Sequence, residues 1–211
     1  MNSIRQLAVV LVALSVASAA FGQQRVAPIP EDKMTDSEKQ ALSEIAKSGH
    51  PLFSPLAPML RSPGLIVSAQ RFGEYVYFDN SLEPRIYELA VLLLARQTTQ
   101  QYEWQVHYPK SIKAGVEQAT ADAIGAGVRP ASMNADEAIA YDFVQELLKR
   151  NDISDATYAK FVGRFGERGV VDMIGLLGYY TTIALMMNAD RTPIKEPAVA
   201  PLLKPLATPL P

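Results

Sequence analysis

Apolar residues recur every three or four positions along most of this chain, the period of an α-helix, and no strand-like alternation stands out. Thr35 is placed to cap SEKQALSEIAKSG, with Leu42 and Ile45 on its apolar side and Gly49 as its stop. Ser62 and Pro63 form the cap and first turn of a helix through GLIVSAQRFGEYVYF, which DNSLEP breaks. In RIYELAVLLLARQ, residues Ile86, Leu89, Ala90, Leu93 and Leu94 fall at helical spacing. Thr98 and Gln101 have capping-box spacing for the next helix, which carries YEWQVH. Pro109 removes a donor and frees the carbonyl of Gln105, which predicts a kink just past His107.

A short helix around ATADAIGAG and a Gly/Pro break lead into the second half. There Asn134 and Glu137 box the start of EAIAYDFVQELLKR, and Ser154 caps DATYAKFVGRFG. The last helix, ERGVVDMIGLLGYYTTIALMMN, is apolar nearly all round. Its uncharged run, Met173 to Met187, is 15 residues, fewer than a membrane span requires. Asp172, two glycines and two threonines fit a helix buried in a protein core, with Gly175 and Gly178 allowing close approach of a neighbour. The expected fold class is all-α.

The two ends read differently. Residues 1–22 combine Arg5 in a short polar start, an apolar run from Leu7 and small residues before Gln23, which reads as a secretory signal peptide rather than an uncleaved anchor. Export to a bacterial periplasm or beyond follows, with no membrane contact after cleavage. Residues 23–35 are polar and proline-bearing, a flexible segment that lacks fixed structure until it meets the domain. The helical domain runs over 36–191. Beyond it, 192–211 has prolines at 193, 197, 201, 205, 209 and 211 and is an extended arm. It is either a loose tail or an arm laid across a neighbouring subunit, which would cover Leu202, Leu203 and Leu206.

Composition narrows the functions. The 211 residues, 48% of them hydrophobic, suit one domain with a proper core. A formal charge of -2 without a basic stripe argues against nucleic acid as a partner. The absence of cysteine removes thiol peroxidase, disulfide-exchange and cysteine–zinc chemistry.

What remains concentrates in TTQQYEWQVHYPKSIKAG, residues 98–115, which holds the only Trp and one of two His. Glu103 and His107 are four apart and share a helix face, within reach of one another. The pair is either an acid–imidazole site or ordinary packing. Trp104 belongs to core, interface or substrate stacking, and Tyr102 to a pocket wall or the core. Glu88 and Arg96 are site groups or partners in a helix–helix salt bridge. Glu88, Glu103 and His107 also make a conceivable metal triad, but no further His is near and no metal is expected. His50, after the first helix, reads as a loop residue.

PRIYELAVLLLARQTTQQYEWQVHYPKSIKAGV resembles the core of the carboxymuconolactone decarboxylase family, which includes the AhpD-like alkylhydroperoxidases. The resemblance rests on R-x-x-E-L-A-x-L-x-x-A-R, then Y-E-W-x-x-H, then A-G-V, and is close over about 35 residues. It implies an AhpD-like helical bundle that assembles as a trimer or hexamer with sites near subunit contacts. In the AhpD-like branch two cysteines precede the His on this helix; those positions here hold Gln100 and Glu103, and the His is His107. The relay glutamate of the preceding helix matches Glu88. The resemblance thus implies a cofactor-free lyase, with His107, Glu103 and Glu88 as catalytic groups. Its substrate would be a small cyclic organic acid or lactone bound by Arg96, Arg85, Tyr102 and Trp104.

In such a reaction, loss of CO2 leaves a delocalised carbanion that a positioned acid must protonate, work suited to His. Glu103 would favour imidazolium and hold the ring, and an arginine would meet the substrate's carboxylates. The cytoplasmic setting of the family's naming step sits badly with an exported chain. The alternative is a non-catalytic periplasmic oligomer that keeps the pocket as a small-molecule binding site.

Overall fold

The computed structural model describes residues 24–194 and 197–206, and among these the secondary structure is all-helical. The expected leader at 1–22 and the last five residues, 207–211, lie outside the described residues. The helices are α1 (Asp36–Ala46), α2 (Pro63–Glu74), α3 (Pro84–Gln97), α4 (Gln101–Lys113), α5 (Gln118–Gly125), α6 (Ala135–Arg150) and α7 (Asp155–Asp190).

Helix α3 is the centre of the molecule. Every residue from Ile86 to Arg96 is buried, because α4, α5, α6 and α7 all pack against it. A helix enclosed on every side cannot afford polar groups without partners, yet this one buries Glu88 and Arg96. Both find partners, and those partners define the two sides of α4.

Most helix ends follow the local chemistry of their caps. Thr35 accepts from the Glu38 N–H while the Glu38 carboxylate accepts from the Thr35 N–H, a full capping box, and Asn134 with Glu137 repeats it. Ser154 caps α7 through the Thr157 N–H. Ser62 stands at the start of α2 without a side-chain cap bond, so Pro63 at the first position marks that end. At α4 the expected Thr98/Gln101 box does not form. Gln100 is the cap, its side chain accepting from Tyr102 and Glu103 N–H, and the Thr98 hydroxyl donates back to the Leu94 carbonyl to finish α3. Helix α4 continues through Pro109 to Lys113.

Two irregularities shape the cleft side. Helix α2 passes into a π-helical turn, Tyr75–Asp79, which re-aims Tyr77 and Phe78. Before it, Ser54–Arg61 forms a 3-10 helix whose Leu56, Met59 and Leu60 enter the core despite two prolines. Helix α7 breaks at Gly166 (φ 71°, ψ 172°), a backbone region essentially closed to residues with a Cβ, so it is two helices end to end. That matches the division expected from sequence.

Helix α7, Asp155–Asp190, is long and apolar enough to cross a membrane by length and composition, but Met173, Leu176, Tyr180, Ile183 and Met187 on its inner face form core. Asp172 within it is buried and accepts from the Ser81 N–H, the Ser81 hydroxyl and the Tyr75 hydroxyl, tying the π turn to α7. Of the two glycines expected at a close approach, a Cβ added at Gly175 would meet only the Phe72 ring, at 3.7 Å, and one at Gly178 would meet nothing. Space for a Cβ is lacking instead at Gly73, against the Tyr179 hydroxyl, at Gly125, against the Trp104 ring, and at Gly169, against Phe165.

Both terminal segments are pinned to the domain. Asp190 at the end of α7 accepts from the Val26 N–H (2.6 Å) and the Gln24 side chain (2.8 Å), so residues from 24 onward lie against the domain. The described part of the arm, 197–206, lies along α4 of its own chain. Gln105 takes the N–H of Val199 and Ala200 and donates to the Ala200 carbonyl; Gln101 does the same with both groups of Leu203. Prolines leave the arm without a helix of its own, so its backbone groups turn to these side chains.

Candidate functional site

The period of α4 gives it two working faces. Gln101, Trp104, Gln105 and Tyr108 fall on one side and serve the arm and α5. Glu103, Val106, His107 and Lys110 fall on the other and line a cleft of about 370 Å³. Across the cleft stand Tyr77 and Phe78 from the π turn, Phe53 and Pro55 from the preceding segment, and Tyr179 and Tyr180 from α7. The wall is largely aromatic, and its polar groups gather on the α4 side.

His107 sits at the base of the cleft, 3% exposed, with a carboxylate on each ring nitrogen. Nδ1 is 2.7 Å from Glu88 Oε2, a contact that joins α3 to α4. Nε2 is 3.2 Å from Glu103 Oε2, one turn away on the same helix. Only the imidazolium form donates to both carboxylates at once. Burial pulls the imidazole pKa down, but hydrogen bonds to Glu103 and Glu88, and their charges, outweigh it and leave it raised above the ordinary 6.5. The Tyr180 hydroxyl lies 3.4 Å from Nε2, with the two rings edge to face, and shares a 2.7 Å hydrogen bond with the Tyr87 hydroxyl. Burial drives the Tyr87 and Tyr180 phenols well above their usual range, so both stay neutral donors.

The expected catalytic trio therefore meets, in a particular order. Glu88 does not line the cleft; it holds Nδ1 from behind. Glu103 and the Nε2 edge form the accessible end. Because the two carboxylates take opposite nitrogens of one ring, they cannot converge on a single ion together with that ring, and among the described residues no cluster suits a metal.

The expected substrate-binding residues separate. Tyr102 lines the cleft, its hydroxyl 3.0 Å from the Ser54 hydroxyl. Trp104 does not: it is buried on the other face, beside Tyr108, and its indole N–H donates to the Pro201 carbonyl. Arg96 is also on the far side, donating to the carbonyls of Lys204 (2.7 Å) and Gly125 (3.3 Å). Arg85 points toward Glu137, 4.0 Å away, and takes no part in the cleft lining. Neither arginine lines the cleft.

The cation that does line the cleft is Lys110, one turn beyond His107. Its ammonium lies 3.5 Å from the Tyr77 hydroxyl and over that ring, 5.3 Å from its centroid, with no carboxylate within 4.0 Å among the described residues. The signal for it was present in the sequence: 103, 107 and 110 share a helix face. His50 is a loop residue outside the lining, stacked on Phe78 at 4.2 Å between ring centroids.

Fold and site together define an all-helical, cysteine-free protein with a carboxylate–imidazole–carboxylate centre at the base of an aromatic cleft. No family model matches the chain, and no curated protein matches it.

Proposed function

We propose that the protein is a cofactor-free proton-transfer enzyme, of the lyase type resembling the carboxymuconolactone decarboxylases, acting on a small cyclic organic acid in this cleft. The observation that carries the reading is the hydrogen-bonded run Glu88–His107–Glu103, with its Glu103–Nε2 end open to the cleft. Glu88 fixes the ring and supports its positive charge. The Nε2–H with Glu103 then gives a proton to a carbanion formed when the substrate loses CO2, the carbanion's electron pair making the new C–H bond. A new proton from solvent, passed through Glu103, then restores the imidazolium.

The AhpD-like bundle is the fold expected to go with this chemistry, and the R-x-x-E-L-A-x-L-x-x-A-R helix around Glu88 and the Y-E-W-x-x-H helix support it. Self-association belongs to the same reading. Val171, Ile174 and Leu185 on α7, with Leu65 and Phe72 on α2, are exposed large apolar groups that a second copy of the chain would cover. An exported location rests on the sequence of residues 1–22 alone. A binding protein without turnover is the second reading, favoured by one fact: both nitrogens of His107 already have partners.

The test uses protein lacking residues 1–22, beside its His107→Asn variant, with 4-carboxymuconolactone and a panel of related lactones and unsaturated acids. CO2 release and loss of ultraviolet absorbance by the parent, absent in the variant, is the expected result. Ligand-dependent thermal stabilisation with no turnover of any panel member would replace the enzyme reading with the binding one.

A further inference from the structure

The charge and shape of the cleft restrict what it accepts. Its anionic side is strong: Glu103 lines it and Glu88 stands directly behind, so two carboxylates face one imidazolium. Its cationic side is a single lysine. Arg96 and Arg85, the groups that would meet further carboxylates, lie outside the lining, Arg96 bonded to the Lys204 carbonyl and Arg85 beside Glu137. A ligand with two carboxylates would pair one with Lys110 and push the other toward Glu103 in a water-poor space, where like charges repel strongly.

The remaining walls are flat and apolar. Phe53, Tyr77, Phe78, Tyr102, Tyr179 and Tyr180 supply ring faces and edges, an environment for a planar unsaturated body. The volume, about 370 Å³, is at the small end of small-molecule sites, which run about 300–1,000 Å³. Two donors in this wall are poorly matched: the Lys110 ammonium meets only the Tyr77 hydroxyl, at 3.5 Å, and one phenol meets nothing. Lys110 has no carboxylate partner among the described residues, and the Tyr179 hydroxyl, buried against Gly73, has no hydrogen-bond partner. Lys110 is thus a cation at the cleft without an anion, which a ligand carboxylate supplies.

From this arrangement we infer that the cleft binds a planar, single-ring monocarboxylate. Its carboxylate pairs with Lys110 at the mouth, and its ring lies between the aromatic walls with one edge toward His107 Nε2 and Glu103. Lys110 is the specificity-determining residue. It stands one turn from His107, about 4.5 Å along the helix axis, so the bound carboxylate is held about one ring's width from the proton donor. The inference rests on the proposed site but adds that dicarboxylates, including the lactone that names the resembled family, are poor ligands.

The experiment measures binding by calorimetry, with benzoate, benzamide and isophthalate as probes, on the parent and on Lys110→Met, which keeps the length and apolar stem of the side chain. Benzoate should bind the parent at least about tenfold more tightly than either benzamide, its neutral isostere, or isophthalate, a gap set by one ion pair in a partly buried site. Lys110→Met should erase the preference for benzoate over benzamide and leave benzamide binding unchanged, which also shows that the variant is folded. Isophthalate binding as tightly as benzoate, a preference surviving in Lys110→Met, or no binding by any probe would overturn the inference. Because binding alone is read, the two claims separate. Lys110-dependent benzoate binding with no turnover of any acid sinks the enzyme reading and keeps the ligand class. Turnover of a dicarboxylate lactone independent of Lys110 does the reverse.

Discussion

A histidine with carboxylates on both nitrogens is an uncommon place to lose a proton. Against the pull of burial, the Glu103 and Glu88 carboxylates raise the pKa of His107 above 6.5 in the folded chain, which favours the imidazolium form. The His107 contribution to stability is fully present below pH 6.5, the unfolded value, and is lost as pH rises through the higher folded value. With only two histidines in the chain, nitrogen NMR of labelled protein resolves them. The His107 ring is expected to titrate above 6.5, and the stability difference between parent and His107→Asn should shrink as the solution becomes alkaline. A ring found neutral at pH 7 would remove the proton donor from the account.

How much of this centre the sequence revealed depends on distance along the chain. Glu103 and His107 were readable because one helix turn separates them. Glu88 is on another helix, and only the family resemblance singled it out. Arg96 and Trp104 were misplaced for one reason: their partners are backbone carbonyls of the arm, and a carbonyl carries no sequence signature. Lys110 was legible from spacing yet is easily passed over, since a lysine near a helix end is ordinary surface chemistry.

At the scale of elements, α4 depends on the arm as much as the arm depends on α4. Gln101, Trp104, Gln105 and the neighbouring Arg96 all spend side-chain hydrogen bonds on residues 199–204. Deleting 197–211 leaves those groups facing water and uncovers the only tryptophan. The expected cost is roughly 2–4 kcal/mol in chemical denaturation, from several modest hydrogen bonds and lost apolar cover. Trp104 emission should shift to the red. An unchanged spectrum and midpoint would show that the arm does not support α4. The helices themselves were legible through apolar period and caps, with Thr35, Asn134 and Ser154 all capping as their types dictate. The start of α4 was not, because a glutamine cap is rare and Thr98 found a nearer acceptor in Leu94. The π turn at Tyr75–Asp79 and the 3-10 helix at Ser54–Arg61 answer to packing rather than to local preference.

For the whole molecule, the question is what meets the outer face of α7. A single chain leaves Val171 68% and Leu185 61% exposed on a helix whose other side is core. Self-association would cover them, and Leu185→Glu should then turn an oligomer into a monomer in sedimentation equilibrium. A parent chain that sediments as a monomer at all concentrations would contradict it. The all-helical class followed from the apolar period alone. The central role of α3 did not, because a helix buried all round and a helix with one apolar face look alike when the pattern is dense in leucine.

The central claim is that His107, held between Glu88 and Glu103, moves protons to and from carbon in the cleft. Deuterium exchange tests it most directly, since it registers proton transfer without requiring that the net reaction be known. Planar unsaturated monocarboxylates and lactones with acidic C–H bonds would be incubated with the parent and with His107→Asn in heavy water, and loss of each C–H signal followed by proton NMR. The account predicts catalysed exchange for at least one ring acid by the parent and only the uncatalysed rate with the variant. Exchange that persists undiminished in His107→Asn, or none by either folded protein across the panel, would contradict it.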